Sequence, residues 1–148
     1  MPECAHHVTA IAPMQDCSTI TEVAPTCNSQ CATNSSITYA NDKNKLSSNY
    51  GFGGDVNLIK QDLMNYGSVS AAFTVYEDFL TYSGGVYEHL TGSSLGGHAI
   101  KIIGWGNENG TDYWVCMNSW NKTWGVNGTF NIKMGDCGIN NQVNAGQI

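Results

Sequence analysis

The chain has 148 residues, a length that fits one domain or a part of one larger domain. Its 12 acidic residues outnumber its 6 lysines and arginines, so the formal net charge is −6, and we expect neither a nucleic-acid partner nor a membrane partner. No apolar run reaches the roughly 18 residues of a membrane helix, and the polar first thirty residues predict no signal peptide. With 41% hydrophobic residues, the chain is expected to fold.

The first 54 residues are rich in Cys, Ser, Thr, Asn and Pro and show neither helical nor strand periodicity. They predict long loops held by disulfides in an oxidising compartment. Four of the six cysteines lie here: Cys4, Cys17, Cys27 and Cys31. Four tripeptides of the Asn-x-Ser/Thr type support a secretory route only weakly. They begin at Asn34, Asn109, Asn121 and Asn127.

A helix and then a series of strands are predicted after residue 54. Asp55 can cap a helix that ends at Gly67. Its apolar stripe at helical spacing consists of Val56, Ile59, Leu63 and Met64. Residues 69–76, 98–105, 113–117 and 129–134 are β-prone, and they predict antiparallel strands. We therefore expect an α+β chain in which residues 1–54 form a cysteine-rich segment and residues 55–148 form a helix plus a β-barrel.

A hairpin is expected to bring a histidine and an asparagine together. Residues 106–111 contain an Asn-Gly pair between two apolar runs, which is a strong hairpin signal. A turn centred between Glu108 and Asn109 makes His98 and Asn118 close cross-strand neighbours. A slip of one residue in this register would place the two side chains on opposite faces of the sheet.

Such a pair suits thiol-dependent hydrolysis, because an amide can fix the orientation and tautomer of an imidazole while its other nitrogen accepts a proton from a thiol. Gly97 lets a substrate backbone approach closely, and Trp120 can shield the pair from water. Taken singly, a histidine at a strand start is more often a surface or core residue, and an asparagine before a turn is ordinary.

Seven short motifs surround these positions. They are Gly96-Gly97-His98-Ala99-Ile100, Gly104-Trp105-Gly106, Glu108-Asn109-Gly110-Thr111, Tyr113-Trp114, Asn118-Ser119-Trp120, Trp124-Gly125 and Cys137-Gly138-Ile139. Together they resemble the papain family of cysteine proteases, and within it the cathepsin B group. The resemblance covers nearly all of the chain.

The resemblance implies a papain-like right-hand domain: an antiparallel sheet or barrel with one or two helices and a disulfide-rich N-terminal loop region. It implies that His98 and Asn118 are catalytic, and that no metal or cofactor is needed. The family's cysteine nucleophile lies about 130–150 residues before its histidine. We therefore expect the nucleophile upstream of Met1, because Cys116 is predicted to be buried and no cysteine of this chain has the nucleophile's sequence context.

Further expectations come from the resemblance alone. Residues 1–54 resemble the start of an occluding loop, in which His6 and His7 would hold the C-terminal carboxylate of a substrate. Cys4 would pair with Cys17, whereas Cys27 and Cys31 would pair with cysteines of the absent half. A bridge between Cys27 and Cys31 stays open as an alternative.

The substrate pocket implied by the resemblance departs from the family at one position. Gln142 stands where the cathepsin B group has an acid, which removes the charge that would favour a basic side chain. With Ala72, Gly97 and Ala99 lining the rest of the pocket, an apolar residue is expected at P2, the second residue before the cleaved bond.

The expected partners are a peptide or protein substrate, the missing nucleophile-bearing half, and a propeptide or cystatin-like inhibitor. A complete enzyme would be lysosomal, endosomal or secreted. Two alternatives stay open: a non-catalytic truncated homologue that binds peptide or inhibitor, and a structural zinc module. The zinc ligands would be Cys4, His6, His7 and Cys17, whose spacing matches no common pattern.

Overall fold

The computed structural model describes residues 26–147, together with the backbone at residues 4–5 and 15–16. Strands Cys4–Ala5 (β1) and Gln15–Asp16 (β2) pair in parallel. The predictions for His6, His7 and Cys17, and for the side chain of Cys4, lie outside the described residues. Within 26–147, no helix combines the length and apolar character needed to span a bilayer.

Helix α1 spans Val56–Tyr66 and begins and ends where its cap residues predict. The carboxylate of Asp55 accepts hydrogen bonds from the backbone N–H groups of Asn57 and Leu58, which lack partners inside the first turn. Gly67 ends the helix with a φ of 97°, a left-handed region that a side chain would strain.

The buried face of α1 differs in one residue from the predicted stripe. Ile59 is fully buried, but Met64 is 75% exposed, so its predicted place in the core was wrong. At 100° per residue, Met64 lies roughly 100° around the helix from the centre of the stripe. Asp62 is buried instead, because its carboxylate accepts a hydrogen bond of 2.7 Å from the hydroxyl of Tyr50.

Seven strands form one sheet in the order β3-β9-β4-β6-β7-β8-β5. Their bounds are Ser48–Gly51 (β3), Val69–Tyr76 (β4), Val86–Tyr87 (β5), Ser94–Glu108 (β6), Thr111–Met117 (β7), Thr129–Lys133 (β8) and Gln142–Gln147 (β9). Neighbouring strands are antiparallel except β5 and β8. The sheet is open, since β3 and β5 lie at its two edges, so the predicted barrel is not formed.

Three strands of this sheet, β3, β5 and β9, were not predicted from the sequence. β3 lies within the segment predicted as loop, and it pairs with β9 from Ser48 opposite Gln147 to Gly51 opposite Asn144. Neither strand is rich in β-branched residues, so local propensity does not reveal them. β5 has two residues, too few for a period to show. Short 3-10 helices follow β4 and β8, at Glu77–Thr81 and Asp136–Gly138.

The core lies on the face of the sheet that α1 covers. Every second residue of β4 is buried, and so are Ile100 and Ile102 of β6, as period-2 alternation requires. An aromatic cluster around the fully buried Phe79 fills one end of this core. Its other members are Phe73, Tyr82, Tyr87, Trp120, Trp124 and Phe130.

Candidate active site

The hairpin that carries the candidate site turns at Asn109 and Gly110. Both residues have positive φ, 51° and 85°, which is the signature of a type I′ turn. Glu108 pairs with Thr111, so the turn is centred one position later than predicted. A bulge between residues 102 and 104 then shifts the register by one.

The later turn centre and the bulge together determine on which face of the sheet the side chains of His98 and Asn118 lie. The last pair of the ladder joins Lys101 to Met117, so the position after Met117 lies opposite Ile100. His98 and Asn118 are therefore diagonal cross-strand neighbours rather than a directly opposed pair. Because His98 is two residues from Ile100, the two side chains still share a face.

His98 and Asn118 are in hydrogen-bond contact, with 2.8 Å between Nε2 and Oδ1. Oδ1 also accepts a bond of 2.8 Å from the backbone N–H of Ser119, which identifies it as the acceptor oxygen. Nε2 must then donate, and in the neutral ring Nδ1 keeps its lone pair. The arrangement leaves the imidazole able to accept a proton at Nδ1.

Among the described residues, two aromatic rings contact the imidazole of His98. Trp120 lies with its ring centroid 5.0 Å from that of His98 at an interplanar angle of 31°. Phe73 lies at 6.0 Å and 67°. Trp120 was predicted from the sequence, but Phe73 was not; the register places Phe73 on β4 directly across from His98. The amide nitrogen of Asn118 is buried without a hydrogen-bond partner among the described residues.

Three of the four residues predicted to line a substrate pocket lie in one row, on the face of the sheet opposite to His98. Ala72 on β4 pairs with Ala99 on β6 and with Gln142 on β9. A shallow depression of about 190 Å³ is lined by Ala72, Gly97 and Gln142, together with residues of the 137–141 segment. Ala99 stands beside this depression, and its role stays a prediction.

A second depression, of about 250 Å³, lies on the other side of His98. It is lined by Gly96, Gly97, His98 and Trp120, and by three apolar residues that were not predicted: Val75, Leu80 and Leu95. The exposed Leu95 next to Gly96 and Gly97 was the available signal, because an apolar side chain beside two glycines suits an open surface site.

Two of the four described thiols, those of Cys116 and Cys137, are poor candidates for a nucleophile. Cys27, Cys31, Cys116 and Cys137 are all free, so the alternative bridge between Cys27 and Cys31 is not formed. Burial raises the pKa of Cys116 far above its ordinary value. Burial and the neighbouring Asp136 raise the pKa of Cys137 to about 12. Neither thiol is ionised near neutral pH, and the thiolate is the reactive form.

No metal site is found in the part of the chain that the structure describes. There, no group of three or more His, Cys, Asp or Glu side chains could hold an ion. The zinc ligands considered from the sequence all lie outside the residues whose side chains are described.

Comparison with known proteins gives a family match over nearly the whole chain. Residues 6–147 match the family model described as papain family cysteine protease. Cathepsin B of Dictyostelium discoideum is 50% identical over 122 residues, which is 82% of this chain and 39% of that protein. A cathepsin B-like cysteine proteinase of Schistosoma japonicum is 44% identical, covering 99% of this chain and 43% of its own length.

Solved structures agree with the family match. The structure of procathepsin B S9 from Trypanosoma congolense has a TM-score of 0.75 at 37% identity, covering 83% of this chain and 42% of that one. Digestive procathepsin L 3 of Tenebrio molitor has a TM-score of 0.66 at 27% identity, covering 76% of this chain and 39% of that one.

The chain belongs to the papain family of cysteine proteases. Within that family it is similar to cathepsin B, and its papain-like fold is that of the cathepsin structures it matches. The chain spans about two fifths of the length of the curated relatives it matches.

Proposed function

We propose that this chain is the histidine- and asparagine-bearing half of a cathepsin B-like cysteine peptidase that hydrolyses peptide bonds by a Cys-His-Asn mechanism. The observation that carries the proposal is the 2.8 Å bond from His98 Nε2 to Asn118 Oδ1, which leaves Nδ1 as the base. The aromatic cover of Trp120 and the glycines beside the histidine support it.

In this mechanism a cysteine supplied by the other half of the enzyme gives its proton to Nδ1 of His98, forming a thiolate–imidazolium pair. The thiolate attacks the carbonyl carbon of the peptide bond. His98 then protonates the leaving amine as the C–N bond breaks. His98 next removes a proton from water, which attacks the thioester and releases the acid and the thiol. Asn118 orients the ring throughout, and Trp120 keeps water from their hydrogen bond.

The depression beside Gly97 would hold the P2 side chain of the substrate. Ala72 offers an apolar wall, its cross-strand partner Ala99 would extend that wall, and Gln142 offers an uncharged amide in place of an acid. An apolar P2 residue should therefore bind better than a basic one. His6 and His7 would add a carboxylate-binding site for a substrate that ends at P2′, two residues past the cleaved bond.

Two further parts of the proposal concern partners and location. A propeptide or a cystatin-like inhibitor would cover the same groove as the substrate, and the matched procathepsin structures support a propeptide. The complete enzyme would act in a lysosome or endosome, or outside the cell.

The test joins this chain to a nucleophile-bearing half. The N-terminal region of the Dictyostelium relative that this chain does not match is fused in front of it, and cleavage of a fluorogenic dipeptide with an apolar P2 residue is measured. We expect activity that His98→Ala lowers about 10³-fold, since general acid–base catalysis is worth 10²–10⁴. Asn118→Ala should lower it at least about tenfold by loosening the ring. Asn65→Ala, an exposed asparagine on α1, is the control and should change nothing.

The specificity arm uses Gln142→Glu in the same fusion, which should raise kcat/KM for a substrate with arginine at P2. A folded fusion that cleaves no substrate but binds a cystatin would instead support the non-catalytic homologue. Equal activity in wild type and His98→Ala would refute the proposed base.

A further inference from the structure

We propose that Phe73 is a positioning residue: together with Trp120 it clamps the ring of His98 in the one orientation that points Nε2 at Asn118. The use of that orientation for catalysis rests on the proposed function. The clamping itself is a property of this chain and can be measured without any cleavage reaction.

The register of the sheet places Phe73 in contact with the histidine. Phe73 on β4 is the direct cross-strand partner of His98 on β6, so the two side chains leave the sheet on the same face. Their ring centroids are 6.0 Å apart at 67°, an edge-to-face contact, whereas Trp120 contacts the same imidazole at 5.0 Å and 31°. The two aromatic neighbours thus meet the imidazole at different inclinations and restrict its rotation.

Phe73 has little freedom to move away. It is 4% exposed and packs against Phe79 at 5.1 Å and Phe130 at 5.7 Å. Phe79 is fully buried and also contacts Trp120 at 5.5 Å. Both aromatic neighbours of His98 therefore rest on the same buried ring, which makes the clamp rigid.

The clamp is needed because the hydrogen bond is too weak to hold the ring by itself. A half-turn of the imidazole about its bond to Cβ exchanges Nε2 with Cε1 and Nδ1 with Cδ2. The bond to Asn118 would then be lost, and a carbon would stand where the base nitrogen should be. One neutral hydrogen bond favours one orientation over the other by a factor of only about 5. Packing by Phe73 and Trp120 supplies the rest of the preference.

The experiment uses the chain itself with its histidines labelled with ¹⁵N. Ring nitrogen shifts report the tautomer of His98, and the exchange of its Nε2 proton with water reports how often the bond to Asn118 opens. Phe73→Leu should speed that exchange about tenfold, which corresponds to ~1.4 kcal/mol. Ile59→Val is the control: Ile59 is fully buried on α1 and lies outside the aromatic cluster around Phe79. It should leave the exchange within about twofold of wild type.

Thermal unfolding of each variant separates positioning from general stability. Equal acceleration by Phe73→Leu and Ile59→Val at similar loss of stability would overturn the proposal. If Phe73→Leu does not fold, Phe73→Met keeps the bulk without the ring and should show the same acceleration. In wild type, a nuclear Overhauser effect between the Phe73 and His98 rings is expected, and its absence would also overturn the clamp. An inactive fusion enzyme would leave these results unchanged, so the two proposals fail separately.

Discussion

Asp78 ties the loop before β6 to the rest of the fold, and its replacement by asparagine should destabilise the chain. One carboxylate oxygen accepts bonds from the hydroxyl of Tyr87 at 2.6 Å and from Nδ1 of His89 at 3.1 Å. The other accepts the backbone N–H groups of Leu90 at 2.9 Å and Thr91 at 3.0 Å. The side chain is 19% exposed, so water can replace few of these bonds.

Asp78→Asn keeps one acceptor oxygen and puts an NH₂ group in place of the other. At least two donors then lose a charged acceptor, each bond being worth about 1.5–3 kcal/mol. With a discount for the partial exposure of the site, we expect the free energy of unfolding to fall by about 3 kcal/mol. For a chain of this size, that loss lowers Tm by roughly 6–12 °C.

The loss should depend on pH in one direction. Burial by itself would raise the pKa of Asp78, but the bonds from Tyr87 and from the backbone of Leu90 and Thr91 outweigh it and hold the pKa well below its ordinary value. A lowered folded pKa gives stability that is present above the unfolded pKa, about 3.9, and is lost as the pH falls below it. This contribution of Asp78 should therefore be complete between pH 5 and 7 and shrink by pH 3.

Urea unfolding of wild type and Asp78→Asn at pH 7, 5 and 3 measures these differences, with Asp42→Asn at an exposed site as the control. If the free energies of unfolding of wild type and Asp78→Asn differ by less than about 1 kcal/mol at pH 7, the hydrogen bonds to Asp78 contribute no more than a surface ion pair. A difference that grows between pH 5 and 3 would show that the sign of the pKa shift is wrong.

Two other outcomes are expected from the isolated chain. In native protein at pH 8, Cys116 and Cys137 should resist alkylation while the exposed Cys27 reacts. The reason for Cys137 is that a pKa of about 12 leaves only ~10⁻⁴ of it as thiolate. Mass spectrometry of alkylated peptides measures this, and rapid native labelling of Cys137 would contradict it. Gly110→Ala should lower the free energy of unfolding by about 1–2 kcal/mol, because the φ of Gly110 is 85°. Gly84→Ala is the control and should change this free energy little, because Gly84 has no positive φ and has open space around it. Equal effects of the two substitutions in thermal unfolding would contradict the assigned turn.

Much of the site could be predicted from the sequence because its determinants are local. Asp55 and Gly67 bound α1 through cap chemistry that acts within one turn. Asn109 and Gly110 specify a type I′ turn because both tolerate positive φ. A turn between two apolar runs is enough to bring the strands of His98 and Asn118 together, and their contact at 2.8 Å confirms that spatial prediction.

Other features depended on partners distant in the chain, and these only the tertiary structure decided. The bulge at residues 102–104 and the position of the turn together put the side chains of His98 and Asn118 on the same face of the sheet. A slip of one residue in the register between β6 and β7 would put them on opposite faces. The pairing of β3 with β9 joins two weakly β-prone segments almost one hundred residues apart.

Burial in the core was likewise settled by non-local contacts. Asp62 of α1 is buried because Tyr50 of β3 donates a hydrogen bond to its carboxylate, whereas Met64 lies on another side of the helix and is exposed. Phe73 became visible as a neighbour of His98 only through the register between β4 and β6. Caps and turns are chosen within a few residues, whereas cross-strand neighbours follow from how whole strands align, and periodicity in one segment carries no information about that alignment.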